Sequence, residues 1–253
     1  MIFDYQKEKK PILAIIIVVI ILMMILIYGV YSSHVNALDN KQCFKNKEVG
    51  ILLDVIIDTT DTPTVYQKKY IRQKIEETVN SMGVGSNVRV FPISNVIGGL
   101  GKNLFDRCKP KSSKDANGLI ENRLMIERTY NEKFLADFEG VIDSVLETES
   151  QHESPIIEAL YDYSRLTEVK ASKKEIIIFS DLLQNTDDYS VYSTEKRLDK
   201  YPYDVNLKNS DVTVYVLERK GKYRARQSMQ FIQDWNAIIG SGVSSLRFEK
   251  VRN

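Results

Sequence analysis

Cysteine, histidine and tryptophan are nearly missing from this chain. Two cysteines and two histidines in 253 residues rule out a disulfide-dense secreted scaffold, and also a zinc ribbon, which needs four Cys or His ligands at close spacing. An excess of charge is missing too. With 35 basic side chains against 34 acidic ones, a formal net charge of +1, there is no basic field to gather nucleic acid, and no nucleic-acid partner is expected. His34 and His152 stand far apart, without a triad or general-base arrangement around them. The glycine-lysine string Gly98-Gly99-Leu100-Gly101-Lys102-Asn103 fails as a phosphate-binding loop, because Val96 and Asn103 stand where glycine and Ser/Thr are needed. What is left is the composition of one globular domain, or two small ones, at about 100 to 200 residues each.

The even average hides one stretch that lacks charge altogether. Ile12 to Tyr31 is a run of 20 apolar residues, and at 1.5 Å per residue a helix of that length spans about 30 Å, the hydrocarbon thickness of a bilayer. A cleaved signal peptide and a buried core helix compete with a permanent anchor; Val35-Asn36-Ala37 passes loosely as a cleavage site. The run exceeds the roughly 7 to 15 residues of signal-peptide cores, so a single-pass transmembrane helix is expected. Lys7, Lys9 and Lys10 favour a cytoplasmic N-terminus and an extracytoplasmic body, although Lys41 and Lys45 reduce the asymmetry. Residues 1–11 then form a short tail, 12–31 the membrane span, 32–47 a polar stalk and 48–253 the domain. Cys43 and Cys108 either close one disulfide in an oxidising compartment or are two unrelated thiols.

Beyond the stalk, apolar patterns alternate between two periods. Val49 to Asp58 reads as a strand buried on both faces, interrupted by Asp54, and Asn87–Ile93, Glu175–Ser180 and Val212–Leu217 as three more. Ile71, Ile75, Val79 and Met82 mark an amphipathic helix that stops at Gly83; Phe134 to Leu146 mark a second, and Phe231 to Ile239 the last. Another helix opens at Ser154-Pro155, with Ser154 as its N-cap, and a weak final strand runs from Leu246 to Val251. Ser94 to Asn117 carries glycine, lysine and serine and reads as an unusually long loop, within an insertion at about 94–130. Strands separated by helices imply an α/β fold with a mostly parallel, doubly wound, Rossmann-like sheet. Ligands bind such sheets at the carboxyl ends of the strands.

That rule points to Asp58-Thr59-Thr60-Asp61-Thr62 at the end of the first strand, to Ser180-Asp181 at the end of the third, and to Ser154 in the loop between. Hydroxyls and carboxylates converging there form a hard-oxygen site suited to Mg²⁺, with Mn²⁺ or Ca²⁺ as alternatives, and with no nitrogen or sulfur ligand for zinc or copper. The competing reading is that Asp and Thr cap turns and Ser154 caps a helix.

The pattern resembles the von Willebrand factor A-like (vWA) domains and their metal-ion-dependent adhesion site. The resemblance rests on D-x-T-x-T at Asp58, Thr60 and Thr62, on Ser154 for the second loop and on Asp181 for the third, and covers about Val49 to Val251. Threonine replaces both serines of the first loop, serine replaces the usual threonine of the second, and Leu182 stands where glycine commonly follows the third-loop Asp. The likeness implies a metal held by these hydroxyls and carboxylates, with one position left for an Asp or Glu of a protein partner. It further implies a non-catalytic binding domain of a bacterial membrane-associated complex. The alternatives are a scaffold with a degenerate site that binds through its tyrosine-rich segment or the insertion, and a metal-dependent phosphohydrolase, which lacks the second Asp because Thr60 occupies its place.

Overall fold

A computed structural model of the chain describes residues 9–35, 38–45, 48–97, 99–118, 121–166, 169–193 and 204–252. It divides into two units. The first is the N-terminal segment, in which α1 (Lys9–Val35) carries the apolar stretch Leu13–Tyr31 with its side chains exposed. By length and composition this helix can cross a membrane. It runs past both ends of the apolar run and takes up the first residues expected for the stalk, and beyond it Leu38 and Phe44 form an antiparallel bridge. Residues 36, 37, 46 and 47 of the expected stalk, and 1–8 of the expected tail, lie outside the described residues.

The second unit holds the sheet. Its strands are β1 (Val49–Asp58), β2 (Asn87–Ser94), β3 (Gly99–Leu100), β4 (Phe105–Cys108), β5 (Ala171–Ser180), β6 (Asp211–Leu217) and β7 (Ser245–Val251). The order is β3-β2-β1-β5-β6-β7, with β4 also on β2, and every pairing is parallel except those of β3 and β4. This is the mostly parallel doubly wound sheet that the alternating patterns predict. Its helices are α2 (Val65–Ser81), α3 (Arg123–Tyr130), α4 (Ala136–Leu146), α5 (Ile156–Ser164) and α6 (Met229–Ile239), and one π-helical stretch, Asn131–Leu135, joins α3 to α4.

Side-chain alternation along the strands sorts the core into two layers. Leu53, Val55 and Ile57 of β1 pack with Ile71, Ile75 and Val79 of α2 and Phe138 and Ile142 of α4. Ile56, on the other face, packs with Ile156 and Leu160 of α5 and Trp235 of α6. Asp54 lies within β1 in unbroken register with both neighbouring strands and points to that second face. Arg89, its register partner on β2, donates to it through Nε and Nη2 at 2.6 and 2.7 Å, and the Tyr163 hydroxyl of α5 completes the cluster. A charge at 0% exposure is tolerable here because the fork-shaped guanidinium satisfies both carboxylate oxygens.

Within the stretch expected as a loop-rich insertion, two short edge strands and a helix interrupt the loop. Strands β3 and β4 pair with opposite ends of β2 and leave Phe91 and Pro92 in a gap, so the proline's missing N–H costs no ladder bond. Gly101 donates to the Pro92 carbonyl at 2.7 Å, and a Cβ there would lie 2.5 Å from Pro92 Cγ, which makes glycine obligatory at that crossing. Cys43 and Cys108 are joined by a disulfide; Cys108 closes β4 opposite Asn87, the first residue of β2.

Candidate functional site

Parallel pairing brings three strand ends together. Asp58 is the last residue of β1, Ser180 and Asp181 follow the same edge of β5, and Arg219 comes two residues after Leu217 of β6. Loop contacts then tighten the cluster. Gln151 N–H donates to the Thr60 carbonyl at 2.7 Å, and Ser154 exchanges two backbone hydrogen bonds with Asn185, at 2.8 and 3.1 Å. The loops after β1, before α5 and after β5 are thereby tied to one another through main chain.

Within this frame Asp58 is buried, and both of its carboxylate oxygens accept hydrogen bonds. Its Oδ1 accepts from the Thr60 N–H at 3.0 Å and the Thr60 hydroxyl at 2.6 Å, and its Oδ2 accepts from the Ser180 hydroxyl at 2.6 Å. The Thr60 and Ser154 hydroxyls touch each other. Burial raises the Asp58 pKa against the lowering effect of Ser180 and Thr60. Asp58, Thr60 and Ser154 thus form one buried oxygen cluster.

The other two expected ligands are engaged elsewhere. Thr62 is exposed, with its hydroxyl 3.0 Å from the Ser150 hydroxyl, and it faces the loop before α5. Asp181 is buried next to Asp58 electrostatically, but its Oδ2 accepts from Arg219 Nε at 2.5 Å and its Oδ1 from the Leu183 N–H at 2.9 Å. Burial pushes the Asp181 carboxyl up to about 7, with Arg219 holding it down and Asp58 pushing it up. Arg219 also reaches Asp61 at 3.0 Å and the Thr62 carbonyl at 3.3 Å.

Ser154 is not the N-cap of α5. Pro155 holds that position without a side-chain bond, and the N–H of Ile157 is capped by Gln184 Oε1 at 2.9 Å. The Ser154 hydroxyl is left to face Thr60. Two further glutamines position the site. Buried Gln227 donates to the carbonyls of Asp181 and Leu217, both at 3.0 Å, and accepts from Arg219 N–H at 2.9 Å. Gln67 closes a capping box with Thr64 at the start of α2 and donates to the Glu218 carbonyl at 3.0 Å. Leu182 adopts φ +60°, the left-handed conformation that favours glycine. Trp235 Nε1–H, bonded to the Leu182 carbonyl at 3.0 Å, and the Ser180 hydroxyl, accepting from Leu182 N–H at 2.8 Å, hold it there.

No protein-family model matches the chain, and no curated protein matches it. Solved structures are similar at low identity. The crystal structure of the ArnB paralog VWA2 from Sulfolobus acidocaldarius shares 14% identity at a TM-score of 0.43, covering 80% of this chain and 41% of that one. The human COPII-coat protein Sec24c shares 12% at a TM-score of 0.33, covering 83% and 30%. This chain spans less than half the length of either.

The donor set is hard oxygen throughout. Among the described residues no three His, Cys, Asp or Glu side chains group as a metal cage, so any cation there depends on the hydroxyls as well. Arg219 interacts electrostatically with Asp181, Asp61 and Asp58: three carboxylates face one guanidinium. That imbalance, and the convergence of Asp58, Thr60 and Ser154, fit a small divalent cation. Ser180 was read only as the neighbour of Asp181, not as a site residue, and Arg219 and Gln227 went unread in the sequence. The strand-end rule that located Asp181 applies equally to Glu218-Arg219 after β6, and is the signal that finds Arg219.

Proposed function

We propose that this is a vWA-like protein-binding domain held at a membrane by Leu13–Tyr31, a non-catalytic subunit of a bacterial membrane-associated complex with its domain on the extracytoplasmic side. The observation that carries the reading is the buried Asp58–Thr60–Ser154 cluster, assembled from separate loops at the carboxyl edge where a doubly wound sheet takes its ligand. Thr60, Ser154 and Asp58 would hold Mg²⁺, Mn²⁺ or Ca²⁺, with Thr62 and Asp181 completing the oxygen set. A bound divalent ion supplies positive charge for an Asp or Glu side chain of the partner. Exposed apolar residues surround the site: Val65 and Tyr66 open α2, Val96 follows β2, and Met229 opens α6. Tyr192 and Tyr223 line a polar cavity of about 480 Å³ together with Ser154, Asp61 and Arg219. Tyrosine, methionine and arginine are the composition of protein interfaces.

The decisive measurement is titration of the full chain in detergent with Mn²⁺, followed by the ion's paramagnetic signal. Saturable binding that EDTA reverses and Asp58→Ala abolishes supports the reading; a chain that binds no Mn²⁺ sinks its metal-dependent part. The Arg219–Asp181 and Thr62–Ser150 contacts favour a second reading, a scaffold in which Arg219 serves as the built-in cation. It predicts that Asp58→Ala leaves partner capture unchanged, while substitutions around Tyr189–Tyr192 break it. Residues 194–203, the rest of that tyrosine-rich segment, lie outside the described residues.

A further inference from the structure

The helices on one face of the sheet leave a crevice open between α2 and α4. Its volume is about 240 Å³, and Ile75, Val79, Leu135, Phe138 and Ile142 make its apolar floor. The charges on its rim are not balanced. Arg72 and Asp143 neutralise each other at 2.7 Å, whereas Glu76 and Glu139 have no ion-pair partner among the described residues. Tyr130, whose hydroxyl meets Asn80 of the rim at 3.4 Å, registers the same sign: burial raises its pKa, and Glu127, Asp115, Glu76 and Glu139 raise it further. Beside the crevice, α4 carries a glycine in its interior. Gly140 destabilises the helix, yet a Cβ there would meet nothing within 4 Å, so the chain's own packing does not call for it. Ala136 and Ser144, one turn before and one turn after, are exposed as well. The crevice is thus flanked by a shallow strip over which a second helix can pass closely.

The complementary occupant is a helix that offers apolar side chains next to a cation. The chain displays one on its own surface. Of the residues of α3 only Tyr130 is buried; Leu124 and Met125 are 84% and 68% exposed. Arg123, which precedes them, has no ion-pair partner among the described residues. Within one copy α3 does not reach the crevice. Tyr130, Asn131, Leu135 and Ala136 all keep helical φ and ψ, so Arg123 to Leu146 is one helical path, which sets Leu124 about 20 Å from Phe138. The crevice open to α3 is therefore that of a second copy. A two-fold axis satisfies both contacts at once, α3 of each copy lying on the crevice of the other.

We propose that the chain pairs with a second copy of itself, Leu124 and Met125 of each filling the α2–α4 crevice of the other while Arg123 meets Glu76 and Glu139. The interface uses neither the Asp58 cluster nor the apolar helix, so it stands apart from the metal and membrane readings. The test is sedimentation of the full chain in detergent over a range of concentrations, with a reversible monomer–dimer equilibrium expected. Leu124→Asp, at an exposed position, is expected to weaken the dimer about tenfold or more. Glu76→Arg together with Glu139→Arg is expected to weaken it to a similar extent. Adding Arg123→Glu to that variant should recover most of the loss, a rescue that a merely structural role of these residues does not produce. A chain that stays monomeric overturns the proposal. So does a dimer that none of these variants weakens, which assigns the association to another surface such as the apolar helix. Loss with Leu124→Asp but no rescue by the charge exchange overturns the crevice as the seat of α3. Dimerisation that follows this pattern in EDTA, in a chain that binds no Mn²⁺, sinks the metal reading and leaves this interface standing.

Discussion

The two ends of the one sheet carry opposite chemistry. At the carboxyl edge, Asp181, Asp61 and Asp58 act on one guanidinium, Arg219, while the Thr60 and Ser180 hydroxyls bond Asp58. At the amino edge, an arginine and four lysines line a cavity with one acidic residue in its wall. Each edge has an Arg–Asp pair, and the pairs differ in kind. Arg89 grips Asp54 with two nitrogens inside the sheet, whereas Arg219 gives Asp181 its Nε and reaches Asp61 and a backbone carbonyl with the rest. The first pair is closed on itself and acts as framework. The second is shared, and its cationic partner is spread over more carboxylates than it can neutralise. The formal charge of +1 thus says nothing of the opposite chemistry at the two edges, and recognition depends on which edge a ligand meets.

The largest effect should come from breaking the closed pair. Asp54→Ala strands Arg89 in the sheet and is expected to cost about 3–5 kcal/mol in denaturant unfolding, while Asp181→Ala, which leaves Arg219 with Asp61, costs clearly less. Equal costs would mean that the pairs do not differ as described. Next is the disulfide that fixes the amino edge: its reduction should lower stability by about 2–4 kcal/mol, read as a drop in thermal midpoint, and should leave Mn²⁺ titration at the other edge unaltered. Ser180→Ala leaves Asp58 Oδ2 without its donor, and a loss of about 1–3 kcal/mol is expected; a silent substitution would show that Ser180 does not hold the carboxylate. The smallest effect is Thr64→Ala. It removes half of the α2 capping box, for about 1 kcal/mol in the same unfolding measurement.

Most of the sheet was legible because β1, β2, β5 and β6 are apolar runs buried on both faces, a pattern that needs no partner to be recognised. β3 and β4 were not, since two residues of Gly-Leu and four of Phe-Asp-Arg-Cys carry too little alternation to separate them from loop. α3 escaped for a related reason: Tyr130 is its one buried residue, so no stripe marks it. In the site, Asp58, Thr60 and Ser154 come together as strand ends and loop order suggest. The engagement of Asp181 by Arg219 depends on two strands becoming neighbours, which no local pattern states. Ser154 shows the limit of a local rule, because Ser before Pro at a helix start reads as a cap until Gln184, from a different loop, takes that task.

The sheet also ends sideways, at two lateral margins. On one, the gap at Phe91-Pro92 splits the last strand into β3 and β4, so no long straight ladder of free N–H and C=O groups is presented. On the other, β7 carries Arg247, Glu249 and Lys250 along its length. Short broken strands and charged side chains discourage a foreign strand from adding itself to a sheet. A second sheet that meets either margin is thereby kept from zipping onto it through its backbone.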